Sequence, residues 1–363
     1  MKEPISFRWW PSFRSWTGVS LCSWLFMAWN SPFALAQGAP SVPLSAQVQR
    51  WEARASQIDS RVTADESIQF LLEKEGKPQD LQQAIFDPMA TERQGKLVVW
   101  MMGRSPELFD RLASYGFHAL RVHYANGWFS RFSKEVPPGD TEFLGRIRLE
   151  AATGEDFSEV VEIAGPNGMM ERVRQFLIWL HQQSPEAGWG QYLTDEQSAV
   201  RWDRVVMAGA SHGATTSARF AKHQQVARVV MFCGPRDQFE TWQGLPSATP
   251  LERYFGFTHT LDDGWSDDHY CRSWELLGLH RLGPLVDVDQ HQPPYQSTRR
   301  LITSADVKGD AKRAHSCVVP GGAALRKADG SWLHEPVWRY LFLHPVDEVG
   351  APSPMDADCN HAQ

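Results

Sequence analysis

Val205-Val206-Met207-Ala208-Gly209-Ala210-Ser211-His212-Gly213 is an apolar strand that runs straight into a Gly-x-Ser-x-Gly turn. A small-residue helix, Ala214-Thr215-Thr216-Ser217-Ala218-Arg219-Phe220-Ala221, follows at once. A serine on so tight a strand-to-helix turn is forced into a strained backbone conformation. A Cβ at either flanking glycine would collide with the neighbouring strand or helix. The turn lifts the Ser211 hydroxyl above the sheet, with a helix N-terminus beneath it that favours developing negative charge. A serine that only caps the helix is the bland alternative. The strand before and the helix after favour a nucleophile.

Outward from that turn, the chain alternates strands and helices. Lys96-Leu97-Val98-Val99-Trp100-Met101-Met102 is a continuous apolar run, the kind buried on both faces of a parallel sheet. Pro106 to Tyr115 reads as a helix ended by Gly116, and His118 to Tyr124 as the next strand. Met169, Val173, Phe176, Leu177 and Leu180 recur at helical spacing. Val229-Val230-Met231-Phe232 and Leu301-Ile302-Thr303 read as further strands, and Pro336 to Leu341 as a closing helix with Pro in its first turn. Such alternation means a mainly parallel sheet with helices on both faces. The connection from about 125 to 165 reads as a cover over the sheet. Residues 235–297 break the alternation and read as a cap, in which Trp242, Trp265 and Trp274 fit either a cleft wall or the core.

The expected organisation is a signal peptide at 1–36, an N-terminal extension at 37–94, a catalytic domain at 95–345 and a tail at 346–363. Lys2, Arg8 and Arg14 precede an uncharged run, and Ala34-Leu35-Ala36 fits a signal peptidase site, with cleavage after Ala36. The expected location is therefore the periplasm or beyond, with no stable membrane insertion after cleavage. Residues 1–36 hold three basic residues and one acidic, so their removal takes the formal charge from −7 to −9. An acidic protein is a poor partner for nucleic acid. Cys233, Cys271, Cys317 and Cys359 remain, which permits up to two disulfides in three possible pairings.

A serine nucleophile needs a general base, usually a histidine oriented by a carboxylate, and on this kind of sheet the chain order is Ser, acid, His. Asp306 is the first choice for the acid, because it lies in the loop after the strand Arg300 to Thr303. Asp310 and Asp237 are the alternatives. For the base, His315 and His334 compete on nearly even terms. The oxyanion donors expected are the His212 amide and an amide of Gly103 or Arg104 after the strand ending at Met102. His259, Asp262, Asp263, Asp267, Asp268 and His269 could in principle hold a cation, but their spacing fits no known metal loop. No Gly-x-Gly-x-x-Gly, Walker-type or Cys-x-x-Cys motif occurs, so neither cofactor nor metal is expected.

Over about residues 95–345 these elements resemble the α/β-hydrolase superfamily. Lys96 to Gly103, Glu186 to Tyr192, Val226 to Met231, Tyr254 to Phe257 and Pro336 to Leu341 look more specifically like a group of bacterial predicted hydrolases. In that group a histidine motif resembling Ala314-His315-Ser316 lies before a loop like Asp329-Gly330, which favours His315 over His334. Ser316 stands where a glycine is usual. The resemblance implies a serine hydrolase acting on a small-molecule ester, with a peptidase or amidase, or a non-catalytic binding protein, as alternatives.

Overall fold

The computed structural model describes residues 47–134, 136–237, 241–267, 269–356 and Cys359. The expected signal segment and Asp268 lie outside the described residues.

Nine strands form the main sheet: β1 (Gln49–Arg54), β2 (Leu81–Phe86), β3 (Leu97–Trp100), β4 (His118–Arg121), β5 (Val205–Ala210), β6 (Arg228–Phe232), β7 (Tyr254–His259), β8 (Leu285–Asp287) and β9 (Arg300–Thr303). Their order across the sheet is β1-β2-β4-β3-β5-β6-β7-β9-β8. Only β2 runs against the rest: it pairs antiparallel with β1 and β4, and every other pairing is parallel. The central strands β3, β6 and β7 are buried at every position. Such strands cannot face water on either side, and helices cover both faces.

The covering helices are α1 (Pro106–Ser114), α2 (Phe143–Thr153), α3 (Met169–Gln183), α4 (His212–His223), α5 (His269–Leu276), α6 (Ala311–Cys317) and α7 (Glu335–Leu343). Helix α1 starts on Pro106 and turns Leu108, Phe109, Leu112 and Ala113 inward. Helix α4 buries Ala214, Thr215, Ser217 and Ala218, whose small side chains let it lie close on the sheet. One apolar core runs through the sheet and its helices, from Val62 to Phe342.

Three readings gain detail here. Residues 49–86 supply β1 and β2, which continue the sheet at its antiparallel margin. Residues 235–297 are not simply a cap, because they supply β7, in the middle of the parallel run, and β8 at its edge. Trp242 and Trp274 are core rather than cleft wall, since both are fully buried. The connection after 125 also carries α2, whose residues are almost all buried. No helix among the described residues is long and apolar enough to cross a membrane.

The last described residues are tied to the domain. Gly350 donates to the carbonyls of Leu282 and Ser297, and Cys359 is disulfide-bonded to Cys271. Cys233 and Cys317 are free thiols, both buried.

Candidate active site

Ser211 has φ 52° and ψ −121°, a left-handed backbone that a β-carbon resists. The turn is held from both sides. Its amide donates to the Phe232 carbonyl at 2.9 Å, and its carbonyl accepts from the amide and hydroxyl of Thr215. A Cβ on Gly209 would lie 2.3 Å from the Gly213 carbonyl carbon, and one on Gly213 would lie 2.2 Å from the Met101 carbonyl oxygen. Both positions therefore require glycine, and the end of β3 abuts the elbow.

The carboxylate that meets a histidine is not the expected one. Asp262 Oδ2 lies 2.6 Å from His315 Nδ1. Asp262 follows β7, while His315 sits on α6 after β9, so the order Ser, acid, His holds with a different acid. Asp262 Oδ1 accepts from the Gly264 amide at 2.9 Å and from the Tyr270 hydroxyl at 3.1 Å. Burial pushes its carboxyl up. The His315 bond and charge and the Gly264 amide outweigh that and hold it below its ordinary value. Such a group stays ionised and orients the imidazole, leaving Nε2 to accept a proton.

The other acids are committed elsewhere. Asp306 is exposed and accepts from the Lys308 amide at 2.7 Å and from its ammonium, so it closes a local turn. Asp310 caps α6, accepting from the Arg313 amide at 3.0 Å. Asp237 is buried against Arg148, with Nε at 2.8 Å, and accepts from the Trp242 indole at 2.9 Å.

His334 is a core side chain. It is fully buried, its Nε2 meets the Thr303 hydroxyl at 3.2 Å, and burial lowers its pKa to about 4. His315, by contrast, is partly exposed. His259 is buried and structural: its ring bonds the Ala305 carbonyl at 2.8 Å and the Leu261 amide at 2.9 Å. It thereby pins the loop that carries Asp262 to the loop after β9.

Cys233, the residue after β6, was not anticipated. Its thiol donates to the His315 carbonyl at 3.0 Å. Phe232 holds the Ser211 amide, so this strand end links the serine turn to the histidine helix. Burial first, and then the Asp262 charge, push the thiol pKa well up, which keeps it protonated and non-nucleophilic. Cys233, Asp262 and His315 offer three ligand atoms within 4.8 Å of one another. Of the earlier acidic group, only Asp262 belongs to this set. Hydrogen bonds account for this set: the thiol donates to the His315 carbonyl, and the carboxylate holds the imidazole.

The His212 amide opens α4 directly after the serine. Gly103 and Arg104 follow β3. The Gly103 carbonyl accepts from the Trp100 indole at 3.0 Å, and the Arg104 side chain extends toward Glu52. The Met102 side chain lies 2.8 Å from where a Cβ on Gly213 would stand.

A cavity of about 460 Å³ opens on the serine and is lined by Phe129, Leu144, Ser211, His212, Arg236 and His269, among others. A larger one, about 580 Å³, shares no residue with it and is walled by the Arg61, Glu171 and Arg174 ion network. The strained serine and the Asp262–His315 pair lie apart from this larger cavity's lining.

The sheet order, the serine elbow on β5 and the acid and histidine after later strands define an α/β-hydrolase fold. No protein-family model matches the chain, and no curated protein matches it. Among solved structures it is similar to a protein from Klebsiella pneumoniae described as a dienelactone hydrolase. That pair shares 11% identity over 72% of this chain and 86% of the other, with a TM-score of 0.32. An α/β serine hydrolase without a lid, from Xanthomonas campestris, shares 14% identity over 73% of this chain and 92% of its own, also at a TM-score of 0.32. At such scores the chemistry of this chain rests on its own geometry.

Proposed function

We propose that this chain is an exported serine hydrolase that cleaves carboxylic esters through an acyl-enzyme. The observation that carries the reading is the 2.6 Å contact of Asp262 with His315 Nδ1, on the same sheet as a strained Ser211 turn. In this mechanism His315 Nε2 takes the Ser211 proton as Oγ attacks the acyl carbon. The same proton passes to the leaving alkoxide, and a water then repeats the sequence on the acyl-enzyme. Asp262 holds the imidazole and stabilises its cation. The His212 amide and an amide of the Met102–Gly103 turn serve the oxyanion, with the α4 N-terminus behind them.

Export is supported by the basic start, uncharged run and Ala34-Leu35-Ala36, and by the Cys271–Cys359 bridge, which suits an oxidising compartment. N-terminal sequencing of the mature protein checks it: Gln37 as first residue is the expected result, and a retained Met1 refutes cleavage.

The function is tested by turnover of 4-nitrophenyl acetate and butyrate, with a matching anilide for comparison, by wild type and by S211A, H315A and H334A. Loss in the first two variants and retention in the third is expected. Turnover that survives S211A sinks the mechanism.

A further inference from the structure

Resting on the serine-hydrolase reading, we infer that the substrate is anionic: an ester whose acyl part carries a carboxylate a few carbons from the reacting carbonyl. The cavity that opens on Ser211 has an apolar wall, Phe129 and Leu144, and a cationic one, Arg236. Arg236 is anchored through its backbone, since its amide bonds the Thr215 hydroxyl at 3.0 Å, while its side chain is exposed. Neither a salt bridge nor a side-chain hydrogen bond engages that guanidinium among the described residues. The one described carboxylate lining the cavity is Asp237, and it is turned inward onto Arg148 and Trp242. Among the described residues, therefore, no carboxylate pairs with the Arg236 guanidinium beside the nucleophile.

A second unpartnered donor belongs to His212, which lines the same cavity. Arg148 Nη1 lies 2.9 Å from His212 Nδ1, and a guanidinium can only donate, so the His212 proton sits on Nε2. Burial, then the Arg148 charge, lower the His212 pKa well below its ordinary value, which keeps the ring neutral. Nε2 is buried and has no hydrogen-bond partner among the described residues. A buried N–H without a partner, on a residue that lines the cavity, is a site for a ligand oxygen. The methylenes of a short dicarboxylic half-ester would lie along Phe129 and Leu144. Its free carboxylate would meet Arg236, and one of its oxygens would accept from His212 Nε2.

The experiment compares full-length processed protein acting on mono-4-nitrophenyl glutarate, which is anionic, and on 4-nitrophenyl pentanoate, a neutral ester of similar length. The wild type is expected to favour the anionic ester by about 10- to 100-fold in kcat/KM, the range of a charge-assisted hydrogen bond. R236Q is expected to erase that preference through KM, losing far more on the anionic ester than on the neutral one, and added salt is expected to shrink the preference. Equal rates on the two esters, or an equal loss on both in R236Q, overturns the inference. Calorimetry with monomethyl glutarate on S211A tests it without turnover: binding by S211A and none by S211A/R236Q is expected, and no binding by S211A overturns it. Fluorophosphonate labelling of Ser211 separates the two failures. A labelled serine with no charge preference sinks only the anionic substrate, and an unlabelled one sinks the hydrolase.

Discussion

Asp262 and Asp306 are both loop aspartates beyond a parallel strand, and what separates them is what their oxygens touch. Asp262 is buried, with Oδ1 on Gly264 and Tyr270 and Oδ2 on His315. Asp306 is exposed and spends both oxygens on Lys308. D262N is therefore expected to lower kcat by about 10²- to 10⁴-fold, because an amide can present a donor to Nδ1 and favour the wrong tautomer. D306N is expected to stay within about twofold, the neutral range of an exposed turn residue. Steady-state kinetics on 4-nitrophenyl butyrate read both. A large loss in D306N with an active D262N would return the acid to its first position. Cys233 belongs to the same scale, as a positioning residue. C233S keeps a donor for the His315 carbonyl and should retain most activity. C233V removes it and should lower kcat more than KM.

Among the elements, α5 and α6 are small but carry the geometry of the site. Helix α6 presents His315 and begins on the Asp310 cap, so D310A is expected to cost about 1 kcal/mol, read as a lower denaturation midpoint. Helix α5 brings Tyr270 to Asp262, and its next residue, Cys271, is bridged to Cys359 across 88 residues. A bridge closing so long a loop contributes about 4 to 5 kcal/mol by chain entropy, so C271S/C359S should unfold at markedly lower denaturant. An unchanged midpoint would mean that the backbone contacts of Gly350 and Ser353 hold the tail unaided. The same scale explains what could be read in advance. Strands β3, β5 and β6 are continuous apolar runs, and their signal survives any context. Strand β7 was missed because Gly256 interrupts Tyr254-Phe255-Gly256-Phe257, and it does so because the Trp274 indole lies 2.6 Å from where a Cβ would stand. With β7 unread, β9 is the strand whose following loop offers an acid, and that acid is Asp306. Strands β1 and β2 carry polar residues that suit an antiparallel margin rather than a buried middle, so sequence leaves their bounds open. Helix α2 read as a loop because Arg148 and Glu150 look solvated in sequence. In the fold, Arg148 is buried on Asp237, and Glu150 accepts from the amides of Phe157, Ser158 and Ile163.

For the whole molecule, buried neutral histidines set how stability depends on pH. His118 is saturated as a neutral ring: Nε2 bonds the Ala187 carbonyl at 2.8 Å, and Nδ1 accepts from the Tyr192 hydroxyl at 2.9 Å. Burial lowers its pKa to about 4, and does the same for His334. In the unfolded chain both titrate near the ordinary value of 6.5. As pH falls from 6.5 toward 4, the unfolded state binds protons that the folded state refuses, so stability is full above 6.5 and drains through that window. At 1.36 kcal/mol per pH unit for each group, the two together remove on the order of several kcal/mol by pH 4. Asp262 acts in the same direction at lower pH. Its folded pKa lies below 3.8, so its contribution is present above that value and is lost as pH falls through the folded pKa. Thermal melts from pH 8 to pH 4 should therefore be flat above about 7 and fall steeply below 6. H334Q should flatten the fall while lowering the plateau, because a glutamine in that core cavity carries no proton but packs less well. A Tm that holds from pH 7 to pH 4 in wild type would show that these rings are charged in the folded state. The hydrogen bonds drawn for His118 would then be wrong.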